Sequence, residues 1–267
     1  MLTVKRLVRM LLYFLVLAYL ALVLVGIFFS DKLIFQPQRS SYKDSAEITK
    51  IQTAHGERIS AIYLGNPTAK FTILYSHGNA EDIGDLRPWL DQLQASGFSV
   101  FAYDYEGYGT SEGTPSEKNV YADVNAAYAY LTNTLDIPPA RIISYGRSVG
   151  NGASIDLASR QRAGGLIVQS GFTSAFVVLT KVPLVPFDKF RNISKIPHVK
   201  CPVMVIHGRR DNVIPFSNGE RLFAAAPEPK ENFWVENAGH NDLEFAVGEE
   251  LIRKIQAFSH RLLQAPQ

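Results

Sequence analysis

The sequence predicts an α/β fold, a doubly wound and mostly parallel sheet with helices on both faces, carried behind an apolar N-terminal segment. Three observations point there. Short β-rich runs alternate with longer helical patterns from about residue 48 onward. Runs such as Val203-Met204-Val205-Ile206 are apolar without alternation, as strands are when helices cover both faces of a parallel sheet. The 267 residues are 46% hydrophobic and 19% charged, and no repeat or Gly/Ser/Pro-rich linker follows Asp31, so residues 31–267 read as one domain.

The N-terminal segment comes first. From Met10 to Phe29 twenty residues carry no charge. A helix of that length, at about 1.5 Å per residue, spans roughly the 30 Å of a bilayer core. A cleaved signal peptide would have a shorter apolar run, about 7–15 residues, and a small-x-small cleavage site. Neither is seen around Val25-Gly26-Ile27-Phe28-Phe29. A buried core helix is the third reading, and twenty residues apolar on every face argue against it. Residues 1–30 are therefore expected to be a signal anchor. Of the 27 basic residues, Lys5, Arg6 and Arg9 precede the span, leaving 24 bases against 25 acids beyond it. The formal charge of +2 thus belongs to the N-terminus. The positive-inside rule then places the N-terminus in the cytoplasm and the catalytic domain on the other side of the membrane, in a periplasm or a lumen. The near-neutral remainder excludes the basic surface of a nucleic-acid binder. A single cysteine, Cys201, excludes an intrachain disulfide and a Cys-cluster zinc site.

Strands are expected at 48–53, 59–64, 71–76, 99–103, 141–145, 165–169, 203–207 and 232–236. Helices are expected at 83–95, 116–135, 149–162, 217–225 and 243–263. In doubly wound sheets ligands bind beyond the C-terminal strand ends, so the loops there carry the search for chemistry.

The strand at 141–145 runs into Gly146-Arg147-Ser148-Val149-Gly150 and then a helical pattern. This is G-x-S-x-G in strand–turn–helix context, a turn so tight that it lifts the serine hydroxyl above the sheet. A chance match at a helix N-cap is the alternative, and the flanking elements argue against it. A serine hydroxyl needs a base, and the base an orienting acid. Asp211 stands in the loop after the strand at 203–207, and His240 in the loop after 232–236. Of the six histidines only His240 and His260 follow Asp211, and His260 lies in the terminal helical run. Asp188 and Asp242 are rival acids, the first outside a strand-end loop, the second at a helix start. An oxyanion needs donors. The backbone N–H of Val149 is one. Asn79, in the loop His77-Gly78-Asn79-Ala80, is the expected second, with Ala80 its neighbour. His77 reads as a brace for that loop. The glycines of the stretch 103–113 suggest a phosphate loop, but no G-x-x-x-x-G-K pattern is present, and a turn shaping the site is expected instead.

Together, His77-Gly78-Asn79-Ala80, Tyr103-Asp104-Tyr105, Gly107-Tyr108-Gly109-x-Ser111, Gly146-x-Ser148-x-Gly150, Gly208-x-x-Asp211-x-x-Ile214-Pro215 and Gly239-His240-Asn241-Asp242 resemble the α/β-hydrolase-domain serine hydrolases over about residues 33–263. The resemblance is strongest to a membrane-anchored branch that includes depalmitoylating thioesterases and lysophospholipid or monoacylglycerol hydrolases. It implies an eight-stranded sheet with one antiparallel pairing near its start. It also implies a Ser148–His240–Asp211 triad that cleaves carboxylic esters or thioesters with no cofactor and no metal. The depalmitoylating members carry an N-terminal cysteine cluster, and this chain departs from them there.

Residues 172–200 are rich in apolar side chains, among them Phe172, Phe176, Val178, Val182, Phe187 and Phe190. They are expected either to cap the site as an acyl-chain groove or to pack a helix on the sheet. The stretch 31–45 can reach at most about 50 Å, which keeps the site near the membrane and makes acyl lipid esters plausible partners. A serine peptidase and a catalytically silent membrane-tethered interaction domain are the alternative functions. Asn192-Ile193-Ser194 matches a glycosylation sequon. Cys201 is expected to be a buried structural residue.

Overall fold

A computed structural model describes residues 4–180 and 185–264. The chain opens with a 31-residue helix, α1 (Val4–Ile34). Its central stretch is not buried by the rest of the chain, and it is one helix long and apolar enough to cross a membrane. Charge ends the apolar run at Asp31-Lys32 but not the helix, which continues to Ile34. The expected boundary at residue 30 therefore falls inside a helix. Ser30 is buried, and Phe35, just past the helix, packs edge-on against Phe190. Residues 31–45 are thus no free tether. The Ser41 N–H donates to Asp82 at 2.8 Å, and the Tyr42 hydroxyl to Asp104 at 2.6 Å.

Eight strands follow: β1 (Ile48–Gln52), β2 (Arg58–Leu64), β3 (Thr72–Ser76), β4 (Ser99–Tyr103), β5 (Ile142–Arg147), β6 (Gly165–Gln169), β7 (Val203–Gly208) and β8 (Lys230–Val235). They form one sheet in the order β1-β2-β4-β3-β5-β6-β7-β8. Strand β2 runs against both β1 and β4, and all other pairs are parallel. There are thus two antiparallel ladders where one was expected. The short turn between β1 and β2 forces the first, and β2 lying between β1 and β4 makes the second.

The helices are α2 (Arg87–Ala95), α3 (Glu117–Asn133), α4 (Asn151–Arg160), α5 (Ala175–Thr180), α6 (Asn192–Lys195), α7 (Ser217–Ala225) and α8 (Leu243–Gln264). Residues of α2 and α8, among them Leu90, Leu93, Leu251 and Phe258, cover the sheet face that carries Ile73, Tyr75 and Ile143. Residues of α3 and α4, among them Val124, Ala127, Ala153 and Leu157, cover the face that carries Leu74 and Phe101. The alternation of Ile73, Leu74 and Tyr75 between two cores is the period-2 geometry of a strand buried on both sides. Helix α2 starts at Arg87 rather than at 83. Pro88 suits a first turn, and the N–H groups of Gly84 and Asp85 are taken by the Asp82 carboxylate, which holds the preceding residues in a separate turn.

The expected cap divides three ways. Phe172 and Phe190 join the core, and Phe176 and Phe187 meet each other edge-on beside Gly26 of α1. Val178 stands at a cavity described below. Val182 lies outside the described residues. Asn192 is fully buried and donates to the Phe172 carbonyl, so the sequon is closed to a glycosylating enzyme in the folded chain.

Candidate active site

The strand-end loops converge on Ser148. It sits at the end of β5 in the left-handed region, with φ of +51°, which a non-glycine residue holds only under constraint. The glycines on either side explain how so tight a turn forms. A Cβ on Gly146 would strike the Ser154 hydroxyl, and one on Gly150 would strike the carbonyl of Ser76 at the end of β3. The Asn151 side chain fixes the turn from below, donating to the carbonyls of Ser148 (2.9 Å) and Gln169 (2.8 Å). The short turn Ser148–Gly150 then leads into α4.

His240 lies beyond β8 with its Nε2 2.9 Å from Ser148 Oγ and its Nδ1 2.7 Å from Asp211 Oδ2. Both His240 and Asp211 are buried. Asp211 is oriented by its own loop, because Oδ1 accepts the N–H groups of Val213 (2.9 Å) and Ile214 (2.7 Å). Burial would raise this carboxyl's pKa. Hydrogen bonds from His207 and His240, the charge of His240 and the Ile214 N–H outweigh that and hold it far below the usual carboxylate range. The Arg209 and Arg210 N–H groups bond the carbonyls of Val235 and Ala238, which locks the acid loop to the histidine loop. The rival acids lie elsewhere. Asp242 accepts the Gly239 N–H at 2.6 Å, and Asp188 accepts the Phe176 and Lys189 N–H groups within the cap. His260 is exposed on α8.

A cavity of about 420 Å³ opens over Ser148 and His240. Asn79, Ala80 and Val149 line it, so both expected donor positions face the cavity over Ser148. Ala80 has φ of +58°, a second constrained backbone in the same wall. The Asn79 side chain is already occupied. Its Nδ2 donates to the Ile34 carbonyl at 2.7 Å, and its Oδ1 accepts from the Gln36 N–H and the Tyr108 hydroxyl. His77 braces the loop from within. Its Nδ1 lies 2.7 Å from the Gly78 carbonyl, and its ring stacks on Tyr105, whose hydroxyl donates to the His77 carbonyl. Burial pushes the His77 pKa down, away from the charged form. The glycine-rich stretch 103–113 is a set of turns that delivers Tyr108 to Asn79. Cys201 is buried and does not line the cavity, and its thiol is pushed up to about 12 by burial, which leaves it inert.

One part of the site has no signal in the spacing. Arg147, between Gly146 and Ser148, is buried and bonds both Glu81 oxygens at 2.9 Å through Nη1. Its Nη2 reaches Asn241 Oδ1 at 3.3 Å, and its Nε lies 3.4 Å from Glu244. Glu81 in turn accepts the Gly78 N–H, and Glu244 accepts from Gln169. A single cation thus ties the Gly78–Glu81 loop, the serine turn and the histidine loop together. A charged residue at the first x of G-x-S-x-G was the one available hint.

Residues 67–184 match the family described as "Serine aminopeptidase, S33". The chain is 42% identical over 229 residues to human alpha/beta hydrolase domain-containing protein 17B, covering 84% of this chain and 79% of that one. It is 40% identical over 225 residues to the mouse protein 17C, covering 82% and 69%. The chain belongs to the α/β-hydrolase domain family of these relatives. As a member of the family it is a serine hydrolase. The fold recurs in an esterase from Pyrococcus furiosus, with a TM-score of 0.72 at 20% identity over 85% of this chain and 98% of that one.

Proposed function

We propose that the protein is a membrane-anchored hydrolase of carboxylic esters or thioesters that acts on acyl lipids through Ser148, His240 and Asp211. The observation that carries this reading is the unbroken chain of hydrogen bonds from the Ser148 hydroxyl through His240 to Asp211, set in a cavity with one apolar wall. Ser148 Oγ attacks the acyl carbonyl carbon as its proton passes to His240 Nε2. The N–H groups of Asn79 and Val149 hold the oxyanion, with the N-terminus of α4 behind them. The tetrahedral species expels the alkoxide or thiolate, which takes the proton from His240, and an acyl-serine remains. Water gives its proton to His240, attacks the acyl carbon and releases the acid, and the proton returns to Ser148. Asp211 stays ionised and stabilises the imidazolium throughout.

Helix α1 is the anchor in this reading. The three bases ahead of its apolar stretch put the N-terminus in the cytoplasm and the hydrolase domain across the membrane. Protease treatment of sealed vesicles tests the orientation. A domain digested from the cytoplasmic side contradicts it. The aminopeptidase description of the matched family favours one second reading, cleavage of amides. Assay of the full-length protein on p-nitrophenyl esters from acetate to palmitate, beside aminoacyl naphthylamides, decides between them. Ester turnover that persists to long chains supports the proposal, and turnover confined to the amides replaces it.

A further inference from the structure

We infer that the last turn of α1 and the facing part of the cap together form the acyl-chain site, so that the anchor helix binds substrate as well as tethering the enzyme. The inference rests on the ester-hydrolase reading and says where that site takes its chain. The cavity over Ser148 has two different walls. Gln36, Asn79, Arg147, His240 and Asn241 make the polar one. Leu33 and Ile34 of α1, Phe172, Ala175 and Val178 of the cap, and Ile214 make the apolar one.

Leu33 and Ile34 are no chance neighbours. The Ile34 carbonyl accepts from Asn79 Nδ2, which fixes the helix end to the loop expected to hold the oxyanion. Phe35 is buried against Phe190, Lys189 pairs with Asp31, and Gly26 leaves room for the ring of Phe187 at 3.1 Å from where a Cβ would stand. The helix is therefore seated on the cap over more than two turns.

Beyond α1's uncharged stretch, only five large apolar side chains among the described residues are exposed, and two of them, Leu33 (57%) and Val213 (51%), border this cavity. An exposed apolar rim on a nucleophile's cavity fits a hydrocarbon chain better than a polar substrate. Position selects the source of the chain. Leu33 lies four residues past Phe29, about 6 Å along the helix axis at ~1.5 Å per residue. The headgroup layer on each side of the hydrocarbon core is about 5–7 Å deep. The rim thus stands in the layer where a bilayer lipid carries its acyl ester. A lipid can slide its chain along α1 into the cavity without first leaving the membrane.

The test uses the full-length protein in phosphatidylcholine vesicles with p-nitrophenyl laurate and p-nitrophenyl acetate. In Leu33→Gln the ratio of kcat/KM for laurate over acetate falls about tenfold, mainly through KM on laurate, and Leu33→Met restores it. Phe245→Gln, the same apolar-to-amide change at an exposed residue of α8 that does not line this cavity, leaves the ratio at the wild-type value. An unchanged ratio in Leu33→Gln, or an equal loss on both esters, overturns the inference. So does an altered oligomeric state at constant ratio, which would assign the rim to a second copy. Wild-type protein that hydrolyses neither ester contradicts the ester-hydrolase reading itself, and this site with it.

Discussion

Arg147 holds both carboxylate oxygens of Glu81 at 2.9 Å from one guanidinium nitrogen, across 66 residues of sequence and next to Ser148. Removing the cation leaves Glu81 and Glu244 without the partner they share. Arg147→Ala is expected to cost about 3 kcal/mol, the low end for breaking a buried ion pair because both carboxylates keep some exposure. Urea unfolding measures it. Arg147→Lys keeps the charge but loses the fork and should fall between the two.

Asp211→Asn should preserve the fold, because the amide oxygen can still accept the Val213 and Ile214 N–H groups. The kcat is expected to fall by roughly 10⁴, as it does in other triads when the acid no longer fixes the tautomer. Because the carboxyl is held far below its usual range, Asp211 stays charged through any ordinary assay pH. Loss of activity between pH 8 and pH 5 should therefore keep its midpoint when residues around Asp211 other than the histidines are varied. Steady-state profiles on a soluble ester check both points.

Asp104 gives a pH dependence of stability. Burial raises its carboxyl to about 8, against the pull of the Tyr42 hydroxyl and the Ile83 N–H. The unfolded value is about 3.9. Between these values the folded chain binds a proton that the unfolded chain has released, so stability falls as pH rises from about 4 to about 8. Asp104→Asn removes that proton from the balance. Its Tm should vary less between pH 5 and pH 8 than the wild type's, as measured by calorimetry at matched ionic strength.

Gly150→Ala drives a methyl group into the Ser76 carbonyl and so into the end of β3. Overpacking of this kind costs about 1–3 kcal/mol where the backbone can yield. Here the yielding backbone carries Ser148, so the expected loss of ester turnover exceeds the loss of stability. Comparing kcat with the urea midpoint in one preparation separates the two.

The central strands were legible because they are buried on both faces and read as apolar runs, as 203–206 does. The acid loop follows that run, the serine turn is marked by its glycines, and the histidine loop follows β8, a strand only half-buried and mixed in sequence. Local rules failed where longer contacts decide. Helix α1 runs on through Asp31-Lys32, where Lys189, 158 residues away, pairs with Asp31. The six residues of α5 are too few to show a helical period. The Arg147 network joins residues 66 and 94 positions apart, and no spacing in the sequence announces that. The same holds for Leu33 and Ile34, whose place in the cavity depends on Asn79 reaching the end of a helix 45 residues earlier.

The central claim is that Ser148, activated by His240, is the nucleophile. Labelling of the full-length protein with a fluorophosphonate probe, read by intact mass, tests it most directly. The account predicts one covalent adduct on Ser148 in the wild type and none in Ser148→Ala, with labelling slowed at least a hundredfold in His240→Ala. Undiminished labelling of Ser148→Ala, or an adduct mapped to any other residue, would contradict it.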